Sequence, residues 1–404
     1  MSRLQSEYAG ARPSAAGDRA AVIVGVGDLP LKEGKFPNGE TVLQAQAIAA
    51  RAALDEAGLS FKDVDGLLTA GNWGIPGSGT LMPVTVGEYL GLTPRFIDGT
   101  NIGGSAFEAH VAHAAMALQA GYCEVALIVY GSAQRSQRSR SFGGRPTDLT
   151  FQYEVPFGLA MPVGSYALAA MRYLHETGGT PEDLAQVAVA ARQWAALNEA
   201  AFARDPLTIA DVLASPAIAD PLHVRDCCLV TDGAGAVVMT TRGRARDLRS
   251  RPIGVLGYGE AQQSWLISEM EDVTRLKPGA MAAERAFGMA GLAPADIDVL
   301  QVYDSFTITV LLTLEALGFC KYGEAADFMR SGKTLLGGEL PMNTSGGGLS
   351  CMHPGMYGLF LLIEAVRQLR GECGARQVPD AEVAFVHGTG GNLSSGASCV
   401  LGRL

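Results

Sequence analysis

Charge is scarce in this chain: 18% of its 404 residues are Asp, Glu, Lys or Arg, against 48% hydrophobic ones. That excludes a disordered protein, because such chains carry too little apolar surface to offset the entropy of ordering. Basic charge is scarcer still, with 31 Lys plus Arg facing 41 Asp plus Glu for a formal net charge of −10. Nucleic-acid affinity comes largely from Lys and Arg neutralising phosphates, so neither nucleic acid nor an anionic membrane surface is an expected partner. No apolar run reaches the roughly 18 to 20 residues that span a bilayer. The segment MSRLQSEYAGARPSAAGDRA has no signal-peptide apolar stretch, and a cytoplasmic protein is expected. Cysteine is present but without pattern. Cys123, Cys227, Cys228, Cys320, Cys351, Cys373 and Cys399 include no C-x-x-C spacing, so they read as reduced thiols and no metal is expected. His110 and His113 share a helix face with no carboxylate motif beside them, and His175 and His223 are isolated.

Glycine is abundant. The chain has 51, well above the average of about 7%, clustered as Gly103-Gly104, Gly346-Gly347-Gly348 and Gly388-Thr389-Gly390-Gly391. Several loops must therefore bring backbone close to something. Residues 1–20 read as a mobile tail. AAVIVGVG from Ala21 then reads as a buried strand, the segment up to Gly58 as an amphipathic helix, and VDGLLTAG as a second strand. Strands alternating with helices predict an α/β fold with a largely parallel sheet.

An internal repeat organises the chain. Ala57-Gly58-Leu59 lies on Ala290-Gly291-Leu292 at an offset of 233 residues, which also lays Asp63 on Asp296, Asp65 on Asp298 and Leu67 on Leu300. Asn101-Ile-Gly-Gly likewise resembles Asn343-Thr-Ser-Gly-Gly-Gly, each before a helix, a Gly turn and a strand. Two α/β halves are expected, over 21–245 and 246–404, with the two Gly-rich segments facing each other near a pseudo-twofold axis. An insertion over about 134–218 is expected to form a lid, a substrate loop domain or an oligomerisation arm. Within it, the basic stretch Arg135 to Arg145 reads as a solvated loop or a contact for a ligand's phosphates. Gly25-Val-Gly27 lacks the rest of a dinucleotide fingerprint, and Ser331-Gly-Lys-Thr334 lacks the upstream glycine of a phosphate loop.

Three motifs resemble those of the thiolase superfamily, in its sterol-carrier-protein-type branch. Asn343-Thr-Ser-Gly-Gly-Gly-Leu-Ser-Cys-Met-His353-Pro-Gly resembles the segment in which a Gly-Gly pair leads to Gly-His-Pro. Tyr303-Asp304-Ser305-Phe306 resembles the Asn-Glu-Ala-Phe or His-Asp-Cys-Phe motif, and Asp226 to Ala236 resembles the Asp-Gly-Ala strand. The resemblance covers about residues 21–404 and implies a duplicated, five-layered α-β-α-β-α fold. The chain departs from the family at its nucleophile. Where the family has Cys-Ala-Ser-Gly, laying the motif's Gly on Gly104 puts Asn101 at the Cys position, and the second family Cys falls at Gly388 or His387. Both thiols are missing, so acyl transfer through an acyl-cysteine is not expected.

These features are similar to those of the steroid side-chain retro-aldolases, which lack the nucleophilic Cys and carry Tyr-Asp-(Cys or Ser)-Phe. The resemblance implies cleavage of the Cα–Cβ bond of a β-hydroxyacyl-CoA, with Tyr303, His353, Asp304 and His387 as catalytic candidates. Gly390, Gly391, Gly103 and Ser105 are the oxyanion and substrate-binding candidates. It implies no cofactor beyond the CoA of the substrate, a homodimer, and a small partner subunit with an OB fold and zinc ribbon. At the later polar position this chain has His353 where those aldolases often carry Tyr. His has the more suitable ordinary pKa for a base, whereas Tyr would need a depressed one. Each candidate has a plainer reading: Tyr303 as a core aromatic, His353 and His387 as satisfied core histidines, Ser105 as a helix cap, Cys351 as an inert buried thiol. Two other functions remain open: an acyltransferase with Ser105 as displaced nucleophile, and a non-catalytic acyl-CoA or lipid-binding subunit.

Overall fold

The computed structural model describes residues 17–73, 81–137 and 148–404. Among them the strands are β1 Ala21–Asp28, β2 Gly66–Leu68, β3 Asn72–Trp73, β4 Phe96–Asp98, β5 Val125–Ser132, β6 Ala217–Ala219, β7 Leu222–His223, β8 Gly233–Thr241, β9 Ile253–Gln262, β10 Val299–Val302, β11 Val383–Gly390 and β12 Ser395–Arg403. Ten of these form one sheet in the order β10-β11-β12-β9-β1-β8-β5-β2-β4, with β3 beside β5, while β6 and β7 form a separate pair. The order repeats itself about its middle: β1, β8, β5 and β2 on one side match β9, β12, β11 and β10 on the other. The seam between β1 and β9 is two residue pairs, Val22 with Gly254 and Ile23 with Ile253.

The sheet is mixed, not largely parallel. β2 with β4, β2 with β5, β3 with β5 and β10 with β11 run parallel. The pairings of β8 with β1 and β5, and of β9 and β12 with their neighbours, run antiparallel. The cause is local: β12 follows β11 across the short turn 391–394, and a connection that short can only make a hairpin.

Alternating side chains build the layers. Val22 and Val24 of β1 pack with the helix Val42–Ala57, whereas Ala21 and Ile23 face the helices Ala106–Ala120 and Gly358–Arg370. On β11, Val386 faces those same two helices and Phe385 faces Ala283, Ala286 and Phe287 of the helix Lys277–Ala290. Two helices thus lie between the halves of the sheet, with helices outside each half, which gives five layers.

The sequence repeat has a physical basis. Asp65 Oδ1 accepts the N–H groups of Glu124 and Val125 at 2.8 and 2.9 Å, and Asp298 Oδ2 accepts those of Glu382 and Val383, both at 2.9 Å. Each aspartate fixes the start of the next parallel strand. Asp63 and Asp296 accept the N–H groups of Ser60 and Ala293 in matching one-turn helices. The expected tail lies outside the described residues as far as 16. Residues 17–20 are docked, with Arg19 Nε donating to the Leu118 carbonyl at 3.0 Å.

In the segment 134–218, the helices Val163–Thr177 and Pro181–Ala196 share a core with the helix Thr307–Ala316. Residues 138–147, most of the basic stretch, lie outside the described residues. Arg135 lies over the Phe202 ring, 4.7 Å from its centroid. Among the described residues no helix is long and apolar enough to cross a membrane.

Candidate active site

Four loops meet at the edges of the two central helices. Tyr303 follows β10, fixed by its N–H donating to the His387 carbonyl at 3.0 Å. Its ring lies against the backbone of Gly104, where a Cβ would stand 2.3 Å from Tyr303 Cε2. No other residue fits there. Tyr303 Oη is 2.9 Å from His353 Nε2 and accepts the N–H of Tyr357 at 3.1 Å. His353 is held by its own N–H, which donates to Thr231 Oγ1 at 3.0 Å, and its ring stacks on Tyr357. Both partners are almost closed to solvent, Tyr303 4% and His353 6% exposed.

Burial shapes the electrostatics. It raises the Tyr303 phenol well above its ordinary pKa and lowers His353 to about 4. At neutral pH both groups are then uncharged, His353 as the free imidazole. A hydrogen bond joins them, its direction following the imidazole tautomer, and the phenol oxygen also accepts the Tyr357 N–H.

Asp304 sits behind this pair. Its carboxylate accepts the N–H groups of Gly348 and Leu349 at 2.7 and 3.1 Å, and burial pushes its pKa up to about 7. It shapes the turn that delivers His353. The Gly-rich segment 346–348 therefore wraps Asp304 and does not face Gly103-Gly104. The segments that do meet are Gly103-Gly104 and 388–391: a Cβ on Gly103 would stand 2.7 Å from the Gly391 nitrogen, and one on Gly390 only 1.9 Å from the Ile102 carbonyl oxygen. Backbone N–H groups lie on both sides of this contact.

His387 is not brought to the pair. It points to the opposite face of β11, where Nδ1 is 2.8 Å from Ser398 Oγ and the ring lies by Gly279, and burial lowers its pKa to about 3. Ser105 makes no capping bond. Its hydroxyl donates to the Ile102 carbonyl and lies 2.8 Å from Ser395 Oγ, fully buried. Asn101 is exposed, and its side-chain oxygen accepts the Gly103 N–H at 3.2 Å. Cys351 is buried, with its thiol pushed up to about 12 by burial.

Several contributors were not legible in the sequence. Tyr166 stacks on Phe306 with centroids 4.3 Å apart and donates to the Gly391 carbonyl at 2.9 Å, covering the site from the 134–218 segment. Cys228 is half-buried, its N–H bonded to the Ser305 carbonyl, with its thiol raised by burial. Trp265 is 48% exposed near Gly391. A cleft of about 660 Å³ lined by Arg275, Lys277, Glu315 and Tyr322, among others, opens nearby. Its edge residue Gln263 bonds the Leu393 carbonyl, but Tyr303 and His353 do not line it.

A family model described as thiolase C-terminal domain-like matches residues 259–403. A 17-hydroxy-3-oxo-4-pregnene-20-carboxyl-CoA lyase of Mycobacterium tuberculosis is 36% identical over 366 residues, covering 87% of this chain and 92% of that protein. The chain belongs to the thiolase superfamily. Within it the chain is sterol-carrier-protein-thiolase-like and groups with steroid side-chain-cleaving aldolases. One of these, from Thermomonospora curvata, is 35% identical over 92% of this chain and 95% of its own length. The solved structure of an Ltp2-ChsH2(DUF35) aldolase superposes with a TM-score of 0.85 at 34% identity, covering 95% of this chain and 98% of that one. The thiolase fold expected from the motifs is the fold observed.

Proposed function

We propose that this chain is a carbon–carbon lyase that cleaves the Cα–Cβ bond of a β-hydroxyacyl-CoA by retro-aldol chemistry, with a steroid-like side chain as the substrate class. The observation that carries the reading is the 2.9 Å bond between Tyr303 Oη and His353 Nε2, set against the glycine loops. Support comes from relatives named as a lyase and an aldolase. The substrate's β-hydroxyl proton passes to Tyr303 Oη as the phenol proton passes to His353 Nε2. The alkoxide pair closes to a carbonyl, the Cα–Cβ bond breaks, and that pair spreads onto the thioester as an enolate. Backbone N–H groups of the Gly103 and 390–391 loops hold the enolate oxygen. The developing negative charge in turn favours the imidazolium, which offsets the low pKa of buried His353.

No thiol stands at position 101, so no acyl-enzyme is part of this reading. CoA enters only as part of the substrate, and no cofactor is invoked. A small DUF35-type partner, expected to carry the OB fold and zinc ribbon, is proposed on the similarity of this chain to the Ltp2-ChsH2(DUF35) aldolase. A homodimer is proposed through the edge of β4, which has no partner strand on one side among the described residues and where Ile97 is 54% exposed. A cytoplasmic location is part of the same proposal. The test is incubation with β-hydroxyacyl-CoA esters bearing branched or steroidal β-carbons, with and without a DUF35-type chain. Formation of a ketone or aldehyde with a shortened acyl-CoA is expected, and intact substrate throughout would count against it.

A further inference from the structure

The first turn of the helix Ala106–Ala120 carries a fully buried glutamate, Glu108, and neither carboxylate oxygen has a hydrogen-bond partner among the described residues. Glycines from two other segments make room for it. A Cβ on Gly388 of β11 would stand 2.3 Å from Glu108 Oε2 and 2.7 Å from Ser105 Cα. One on Gly358 would stand 2.5 Å from the same oxygen and 2.4 Å from the Gly104 carbonyl. The carboxyl is therefore enclosed by the Gly104-Ser105 loop beneath Tyr303, by the end of β11 that leads to Gly390, and by the residue after Tyr357, whose N–H holds Tyr303 Oη.

A carboxyl without partners fixes nothing by hydrogen bonding and costs stability, whereas leucine would pack the same space. Burial pushes its pKa up to about 8, so it keeps its proton at neutral pH. Retro-aldol cleavage leaves an enolate that must gain a proton at Cα. We propose that Glu108, which lies under the Gly104-Ser105 backbone against which the Tyr303 ring rests, supplies that proton. This rests on the aldol reading above. The Glu108 O–H bond breaks, the enolate pair forms a C–H bond at Cα, and the thioester carbonyl re-forms. The proton that Tyr303 and His353 took from the hydroxyl then returns to the carboxylate, so a turnover neither gains nor loses a proton.

The test is deuterium wash-in at Cα of propionyl-CoA in D2O, read by mass spectrometry for the full chain and for Glu108→Gln and Glu108→Leu. Aldol cleavage and thermal unfolding are followed in parallel. The expected result is an exchange rate at least 100-fold lower in both variants, with an unfolding midpoint in Glu108→Leu at or above that of the unaltered chain. A merely structural glutamate would move the midpoint and leave exchange in the folded protein near its original rate. Exchange within threefold of the original in either variant overturns the inference while leaving the aldol reading intact if cleavage persists. Loss of folding in both variants also overturns it, since the carboxyl would then be a structural requirement. Neither cleavage nor exchange in the unaltered chain removes the aldol reading and this inference together.

Discussion

Burial keeps Tyr303 and His353 both uncharged at neutral pH, and the proposed chemistry runs through the bond between them. Removing the phenol oxygen in Tyr303→Phe deletes both the proton acceptor and the link to Tyr357, so cleavage is expected to fall about 100-fold or more, with the chain still folded and its unfolding midpoint lowered by the buried groups left unpaired. His353→Gln keeps an acceptor but no proton-holding group and is expected to lose as much, measured as kcat on the same substrate. Neutral burial also sets a pH dependence. His353, His110 and His387 are lowered to about 4, 4 and 3 by burial, while the unfolded chain titrates near the ordinary 6.5. Their folded pKa values are depressed, so the unfolded state binds more protons between the two values. Stability is then full above about pH 6.5 and is lost as the pH falls toward 4. Unfolding midpoints from pH 7 to 4 should fall less steeply in His387→Gln than in the unaltered chain.

At the scale of elements, the loops matter through backbone contacts. Gly104 carries the Tyr303 ring on its Cα, and a methyl there needs a displacement of the order of an ångström. Gly104→Ala is therefore expected to cost about 100-fold in cleavage while retaining helical content by circular dichroism. The sequence showed that glycine strings surround the site, because glycine density and the His353-Pro-Gly run are local features. It did not show which strings meet. That depends on the pairing of β11 with β12, which places Gly388 toward Ser105 and Glu108 and turns His387 to the other face. Glu108 is hidden for the same reason: in the sequence it is the one acidic residue of a largely apolar helix, and its enclosure comes from Gly358 and Gly388, far along the chain.

Across the whole molecule, the offset of 233 residues was legible because Asp65 and Asp298 each act on backbone N–H groups of a strand whose start is marked in sequence. The antiparallel return of β8 and β12 was not, since alternating strands and helices suit either direction. One side chain ties the two halves together near the site. His113 Nδ1 is 2.5 Å from Asp98 Oδ2 at the end of β4, and Nε2 is 3.1 Å from Glu260 Oε1 on β9. Hydrogen bonds to Asp98 and then Glu260 raise its pKa to about 10. A raised pKa contributes stability that is full below about 6.5 and lost as the pH rises through 10. His113→Ala is expected to cost about 2 kcal/mol at pH 7, by denaturant unfolding, and much less at pH 10.5.

Carbon–carbon cleavage without an acyl-enzyme is the claim on which the rest depends. The most direct measurement follows the shortened acyl-CoA, the carbonyl product and the intact mass of the protein in one reaction with a β-hydroxyacyl-CoA. Equal amounts of the two products, with the protein at its unmodified mass throughout, are the expected result. Accumulation of an acyl adduct on the chain, on Ser105, Cys228 or elsewhere, would contradict the account and place the chain among acyltransferases.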